Sequence, residues 1–455
     1  MATMRARNEG FRRWLEKSGS LPLTISLATE DHHRYLPIGT RPTITPDDPK
    51  LQGLRAELVN TLARYCQQWR IMAFDEATHS VVASAFGRLT TKDLPLLETV
   101  HSNGNVFLWQ ERDTDDIKPI RLSVIGSLLG RASSLRALQL TRGYFSERSL
   151  LSDLPLSWSR LTELSITPPP GHYFDCYILL QLLAKECHSL ATLDLDSPTV
   201  YFDPEHLGER RLSPVEWPSI RKFVISFNGP LLEHLPVPVF PRPVVEVFES
   251  VNLPSLKEFA VDLVGYHNLS SPSCAISLTP WELLLSRSQP AVTHIQLAFP
   301  AFLDAKAVIR SLQPLDTLKS LRFGRGDEAW KVHDQALLSA FLEAGTSLCP
   351  ELEEVEFSAC GSETAKTLLE LAVRRPSIRV IRARFFLLED EVETLLPSEQ
   401  VVRELKMSTS GREGSLQGYI EDVRLIWTWR SHDDLSRDEH NDGMPASSRY
   451  HWYDG

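Results

Sequence analysis

One short hydrophobic pattern recurs along most of the chain. A six-residue template carries Leu, Ile, Val or Phe at its first, fourth and sixth positions. Its clear copies begin at Leu135, Leu161, Leu190, Ile220, Leu256, Val292, Leu318, Leu352 and, more weakly, Ile378. Degenerate copies begin at Trp69 and Leu97. From Leu135 onward, successive copies start 26 to 36 residues apart, so the spacing is irregular although the template is constant.

The template predicts a short β-strand in every copy. Its fourth and sixth residues are two apart, so on a strand they point to the same side of the sheet, while the residues between them face outward. The first residue is expected to pack in the turn that enters the strand. Recurrence of one such unit is the sequence signature of a repeat protein.

Helices are predicted between the strands. Apolar residues recur at helical spacing in 51–69, 175–185, 334–344 and 364–373. Strand, loop, helix and loop in succession predict an α/β fold. We expect an irregular leucine-rich-repeat solenoid with ribonuclease-inhibitor-like repeats, a short N-terminal helical segment, and strands lining the concave side. An ordinary α/β domain with Leu-rich strands is the alternative.

The amino-acid composition argues against two classes of binding partner. The chain has 455 residues, with 48 basic and 59 acidic side chains, a net charge of −11 and a pI near 5.7. This balance argues against a general nucleic-acid binder or a binder of anionic membranes. No apolar stretch approaches the length of a membrane span.

Cysteine usage and the N-terminal sequence indicate an intracellular location, either cytoplasmic or nuclear. The chain has six cysteines and no CxxC pair, too few for a disulfide scaffold and without the common zinc spacing. The first residues are polar and charged, so no signal peptide is predicted there.

The N-terminal segment carries a more specific string. Residues 14–27 read Trp-Leu-x-x-Ser-Gly-Ser-x-Pro-Leu-x-Ile-x-Leu, which predicts a helix end, a Ser18-Gly19 stop and an alternating strand. The string resembles the segment that follows the F-box in F-box/leucine-rich-repeat-like proteins of mushroom-forming fungi. The Leu97 strand and the later copies are similar to theirs, so the resemblance covers most of residues 11–396.

The resemblance implies a role in ubiquitin ligation. An F-box would bind the Skp adaptor of a cullin–RING ubiquitin ligase and should lie upstream of Trp14, but the 13 residues there do not match one. Either the reading frame is longer or this relative lacks its F-box. We therefore expect residues 1–18 to be a remnant helix, 19–430 the solenoid with its clearest repeats at 135–383, and 431–455 an acidic disordered tail. A Skp and cullin partnership is expected only if an F-box lies upstream.

Signatures of catalysis and of cofactor binding are not found. No GxxxxGK[ST], GxGxxG, GxSxG or HExxH occurs, so no enzyme activity, cofactor or metal is predicted. Asp31-His32-His33 and the His432 to His440 segment could bind a metal, but solvated polar segments are the preferred interpretation.

Outward strand positions give the candidate binding residues. On the concave face we predict that a protein partner contacts Asp194, Asp196, Lys222, Glu258, His294, Arg322, Glu354, Glu356 and Arg382. Acidic positions occupy the middle and later copies, and arginines are added toward the C-terminal end. The carboxylate pairs Asp194/Asp196 and Glu354/Glu356 could share a proton for catalysis or hold a cation, but a recognition surface is preferred.

Three functions remain open from the sequence. The first is a protein-binding module that presents substrates to a ubiquitin ligase, where the ligase half rests on the resemblance alone. The second is a stand-alone leucine-rich-repeat scaffold without a ligase connection. The third and remote one is an enzyme.

Overall fold

The computed structural model describes seventeen segments of the chain: residues 2–27, 49–75, 94–103, 107–109, 119–122, 124–141, 147–168, 176–196, 214–228, 242–264, 280–298, 305–324, 334–360, 367–368, 370–371, 374–388 and 422–430. The chain divides into two compact units, Met1–Pro198 and Thr199–Gly455. The predicted tail at 431–455 and the Asp31-His32-His33 segment lie outside the described residues.

The first unit alternates strands and helices. Its helices are α1 (Ala2–Ser18), α2 (Pro49–Ala63), α3 (Val124–Leu129), α4 (Glu147–Asp153) and α5 (Cys176–Glu186). Its strands are β1 (Leu23–Leu27), β2 (Trp69–Asp75), β3 (Thr99–Asn103), β4 (Phe107–Trp109), β5 (Pro119–Leu122), β6 (Ala137–Thr141), β7 (Glu163–Thr167) and β8 (Thr192–Leu195). Strands β1, β2, β3, β6, β7 and β8 pair in that order, all parallel, and β4 pairs separately with β5.

The second unit has the same organisation. Its helices are α6 (Arg242–Ser250), α7 (Pro280–Ser288), α8 (Ala305–Leu312) and α9 (Asp334–Ala344). Its strands are β9 (Val215–Glu216), β10 (Lys222–Asn228), β11 (Val251–Asn252), β12 (Glu258–Val264), β13 (His294–Ala298), β14 (Ser320–Phe323), β15 (Glu354–Cys360), β16 (Val380–Leu388) and β17 (Asp422–Arg430). Strand β9 pairs with β11, and the others form a parallel sheet in chain order.

Equivalent template residues lie side by side in each sheet. In the first unit Leu138 pairs with Leu164 and Leu164 with Leu193. In the second unit the fourth template residues of β10 to β16 are paired in the same way. In the nine clear copies, every first, fourth and sixth template residue is at most 4% exposed. The predicted strands and their inward positions are therefore confirmed.

A forked backbone hydrogen bond fixes this alignment. The carbonyl of the second template residue in one copy accepts the N–H groups of the second and third residues in the next copy. Arg136 and Ala137 thus donate to Glu98, and Lys257 and Glu258 donate to Arg221. Across both units these bonds measure 2.7–3.0 Å. Two donors on one acceptor hold each strand against sliding along its neighbour.

A tight turn before most of the template strands supplies a further buried position that the template did not include. The N–H of the first template residue donates to the carbonyl three residues earlier, as Leu190 does to Cys187 at 3.1 Å. In most copies the residue that provides this carbonyl is buried. Such buried residues are Leu94, Trp158, Cys187, Trp217, Leu253, Leu315 and Cys349. Proline follows it in several copies, where its fixed φ suits the second place of a turn. These prolines are Pro95, Pro218, Pro254, Pro350 and Pro376.

In the last clear copy a buried arginine occupies this position. Arg375 is 2% exposed, and its Nη2 donates to the carbonyl oxygens of Gly345, at 2.5 Å, and of Leu348. Its guanidinium carbon also lies 5.7 Å from the ring centre of Phe341. Burial lowers the pKa of Arg375. The side chain therefore connects the turn before β16 to the segment that follows α9 in the preceding copy.

The helices pack against the inward side of the sheets. Phe248 of α6 meets Phe259 of β12 edge-on at 6.0 Å, and Phe341 of α9 meets Phe323 of β14 at 6.3 Å. No helix among the described residues is both long and apolar enough to cross a bilayer.

Several element boundaries were predicted correctly, and one was not. The predicted helices at 175–185 and 334–344 match α5 and α9 closely. Helix α1 ends at Ser18, Gly19 has a φ of 61°, and β1 starts at Leu23, as the N-terminal string predicted. The predicted helix over 51–69 was too long, because Trp69 is buried as the first residue of β2. The predicted helix at 364–373 lies partly outside the described residues.

The inward and outward assignment can be tested at adjacent residues of β8. Leu193→Asp puts a charge at a position with 0% exposure, so we expect a loss of more than about 3 kcal/mol in unfolding free energy. Asp194→Ala should change it by less than about 0.5 kcal/mol. Urea denaturation followed by circular dichroism measures both. Similar losses for the two variants would contradict the assignment.

The role of Arg375 can be tested against its neighbour Arg374, which is 59% exposed and paired with Glu370. Arg375→Met removes the donors to two carbonyls and should cost about 2–4 kcal/mol of unfolding free energy. Arg374→Met should cost less than about 0.5 kcal/mol. Thermal unfolding of both variants compares them, and an unchanged melting temperature for Arg375→Met would rule out the connecting role.

Candidate functional site

The face of each sheet opposite the helices carries the predicted binding residues. We call it the open face, and it consists of the third and fifth template positions of the strands. In parallel sheets without offset, residues of equal template position form rows across the strands, about 4.8 Å apart. Each row therefore contains one side chain from each of several neighbouring repeats.

The open face of the first unit is rich in uncharged polar groups. His101, Gln139, Ser165 and Asp194 form one row across β3, β6, β7 and β8. His101 Nδ1 lies 2.5 Å from Gln139 Oε1, and Ser165 Oγ donates to Asp194 Oδ2 at 3.4 Å. Asp196 follows β8, and its backbone N–H donates to Ile166. Both predicted aspartates are half-buried, and each lies beside the chain of the preceding copy.

The predicted residues of the second unit begin with an ion pair. Lys222, Glu258 and His294 are side by side on β10, β12 and β13. Lys222 Nζ lies 3.4 Å from Glu258 Oε2. His294 Nδ1 lies 2.8 Å from Thr293 Oγ1, which itself donates to the carbonyl of Lys257 at 3.2 Å.

Two arginines and two glutamates form a network on β14, β15 and β16. Arg322 lies 3.2 Å from Glu354 and 3.5 Å from Glu356. Arg382, on the opposite side, pairs with Glu354 and lies 3.8 Å from Glu356. All four side chains are 19–32% exposed. We call this set the Arg–Glu network.

The network shows how the charges of the later copies are arranged. The sequence places acidic residues in the middle and later copies and adds arginines toward the C-terminal end. In the structure Glu356 stands between Arg322 and Arg382 in one row, so positive and negative charges alternate from strand to strand. Each carboxylate therefore lies close to both guanidinium groups.

A shallow depression opens to solvent beside the network. It is lined by Lys222, Val224, Glu258, Phe259, Ala260, His294, Ile295, Gln296, Ser320 and Arg322. Val224, Ala260 and Ser320 were not among the predicted binding residues, because they carry no charge. The same template marks all three as outward, and their small side chains leave the depression between longer neighbours.

The described residues include no group of three His, Cys, Asp or Glu side chains placed to hold a metal ion. Burial raises the pKa of Cys187 and of Cys349 to about 12 in each case, so both thiols are protonated at neutral pH. Cys66 and Cys176 are likewise buried with free thiols.

Comparisons with known proteins give no family assignment. No protein-family model matches the chain, and no curated protein matches it. Twenty-one chains of solved structures match, among them the crystal structure of a TLR13–ssRNA13 complex. That match has 14% sequence identity and a TM-score of 0.33, and it covers 70% of this chain. The chain spans about a third of the length of that structure, with 34% of it covered.

The strength of the Arg–Glu network can be measured with a double-mutant cycle. Glu354→Gln and Arg382→Gln, alone and together, should give a coupling energy of about 1–2 kcal/mol, because the pair is half-buried. The exposed pair Lys319 and Glu353, 3.9 Å apart, serves as the control and should give less than about 0.5 kcal/mol. Equal coupling in both pairs would contradict the network.

Proposed function

We propose that this chain is an irregular leucine-rich-repeat solenoid protein, with ribonuclease-inhibitor-like repeats, whose open face binds a protein partner. One observation carries the proposal. In every clear copy, the first, fourth and sixth template residues are buried, which leaves the third and fifth free to vary in chemistry. Strands that are conformationally fixed by their neighbours then present those side chains as one ordered surface.

The chemistry of the open face supports a protein as the partner. The described charges of the second unit alternate, as in Lys222 with Glu258 and in the Arg–Glu network. A polyanion such as a nucleic acid finds no continuous positive surface there. Mixed charges favour a partner of mixed charge, and such complementarity acts mainly on orientation and association rate.

We further propose that the bound partner is a substrate for a cullin–RING ubiquitin ligase. The support is the resemblance of residues 14–27 to the segment that follows an F-box, together with the order of α1, the turn at Gly19 and β1. Contact with the Skp adaptor would then require an F-box upstream of Trp14. An intracellular location, cytoplasmic or nuclear, belongs to the same proposal.

The binding function can be tested by purifying the tagged endogenous protein with its partners. Glu356→Lys changes the charge of the open face, and we expect it to reduce recovery of the partner about tenfold. Glu343→Lys makes the same change at an exposed residue of α9 and should leave recovery unchanged. Full recovery with Glu356→Lys and with a Gln139→Lys variant would refute binding at the open face.

The ligase role has a separate readout. If it is correct, the Skp adaptor co-purifies with the endogenous protein, and deletion of the gene raises the abundance of the partner. A stand-alone scaffold would bring down the partner without the adaptor and leave its abundance unchanged. That second result would remove the ligase role and retain the binding function.

A further inference from the structure

Strand β17 forms an edge of the parallel sheet in the second unit. It pairs with β16 along nine residues, Asp422–Arg430, without a register shift. Among the residues that the structure describes, no strand pairs with the other side of β17. An edge strand carries a row of backbone N–H and C=O groups that point away from its neighbour, and such a row is a template for pairing with another chain.

Strand β17 lacks three features that commonly protect such an edge, namely short length, proline and a β-bulge. Strands β16 and β17 have nine residues each, whereas β10 and β12 to β15 have four to seven. The sequence of β17, DVRLIWTWR, contains no proline or glycine. The edge is therefore long and regular, and its composition favours strand pairing.

The first unit shows the protected form of an edge. Strand β1 is the first strand of that unit and has only five residues. It follows Pro22, and its register with β2 shifts between Leu23 and Thr24. Short length and an irregular register make β1 a poor template for a further strand. The contrast singles out β17.

The charges of β17 are complementary to themselves in antiparallel orientation. When two copies pair about Ile426, Asp422 of each copy lies opposite Arg430 of the other. All nine residues are paired in this register, and opposite charges that face each other across two strands stabilise the pair. Centring the pair on Trp427 would instead set Arg424 opposite Arg430, and like charges in that place are destabilising.

The apolar residues of β17 match in the same register. Val423 of one copy lies opposite Trp429 of the other, and Leu425 lies opposite Trp427. Aromatic residues opposite aliphatic ones are favourable cross-strand pairs. All four residues are already paired with apolar residues of β16. A second copy would therefore continue the apolar rows of the sheet across the contact.

We propose that two copies of this chain associate through β17, in antiparallel orientation, about a two-fold axis at Ile426. The sheets of the two second units then join into one, with their open faces on the same side. A two-fold contact is closed, so it produces a dimer and no filament. This self-association is independent of the proposed function, because it involves the sheet edge and no bound partner.

Charge reversal tests the contact on the full-length chain. Sedimentation equilibrium over the micromolar range should show the mass rising from that of one chain to that of two. Asp422→Arg and Arg430→Asp each create two sites where like charges face each other, so each should weaken association about tenfold or more. The double variant restores opposite charges and should recover association. Melting temperatures of the variants check that each is folded.

A cross-link tests the register. Ile426→Cys sets two cysteines directly opposite each other, with Cα atoms about 4.5–5.5 Å apart, which a disulfide can bridge. Thr428→Cys is the matched control, because its two copies are displaced by four residues, about 13 Å along the strand. After mild oxidation, a non-reducing gel should show a covalent dimer for Ile426→Cys, and none for Thr428→Cys or the unchanged chain.

Three results would overturn the proposal. A chain that stays monomeric would exclude a second copy as the occupant of this edge, even if a strand of another protein binds there. A dimer that withstands both charge reversals would lie elsewhere on the molecule. Equal cross-linking at residues 426 and 428 would contradict the register. Recovery of the partner with Glu356→Lys measures the proposed function separately, so neither test decides the other.

Discussion

The forked backbone hydrogen bond at the start of strands β6 to β8 and β12 to β16 is the constraint on which the other features depend. One carbonyl receives two N–H groups from the following copy, as Glu98 does from Arg136 and Ala137, so a strand cannot shift by a residue without breaking both bonds. Such a shift would also turn every apolar template residue to the solvent side. Backbone geometry and apolar burial therefore select the same alignment, and they do so although the copies are spaced by anything from 26 to 36 residues.

The alignment determines the chemistry of the open face. Residues at the same template position of successive copies become neighbours. A charged side chain of one copy therefore lies beside the corresponding side chain of the next copy. Glu356 lies between Arg322 and Arg382 only because β14, β15 and β16 pair without offset. The proposed partner would meet charges that are already paired and oriented, which would lower the cost of ordering long side chains on binding.

The sequence predicted the inward residues well, because burial of a period-two pattern depends on each strand alone. Ion pairing depends on which strands are neighbours. The pair of Arg322 and Glu354 therefore follows from the pairing of β14 with β15 and was not predicted. The buried residue at the start of these turns, such as Cys187 or Cys349, lies outside the six-residue template and was not predicted. In 51–69 the helical spacing and the strand template overlap at Trp69. Trp69 belongs to the strand, and its side chain is buried in the core.

Arg375 shows that a charged side chain can occupy a buried position before a strand. A guanidinium in a row of Leu, Trp and Cys would be expected to disrupt the packing, but the carbonyls at the end of the preceding helical segment accept its protons, and Phe341 covers its face. Arg375 is thus accommodated at a buried position by hydrogen bonds from Nη2 and by the ring of Phe341. Some outward positions are buried as well. The small residues Val224, Ala260 and Ser320 stand on strands fixed on both sides, and the shape of the surface between them is set by the same backbone pairing that holds the core.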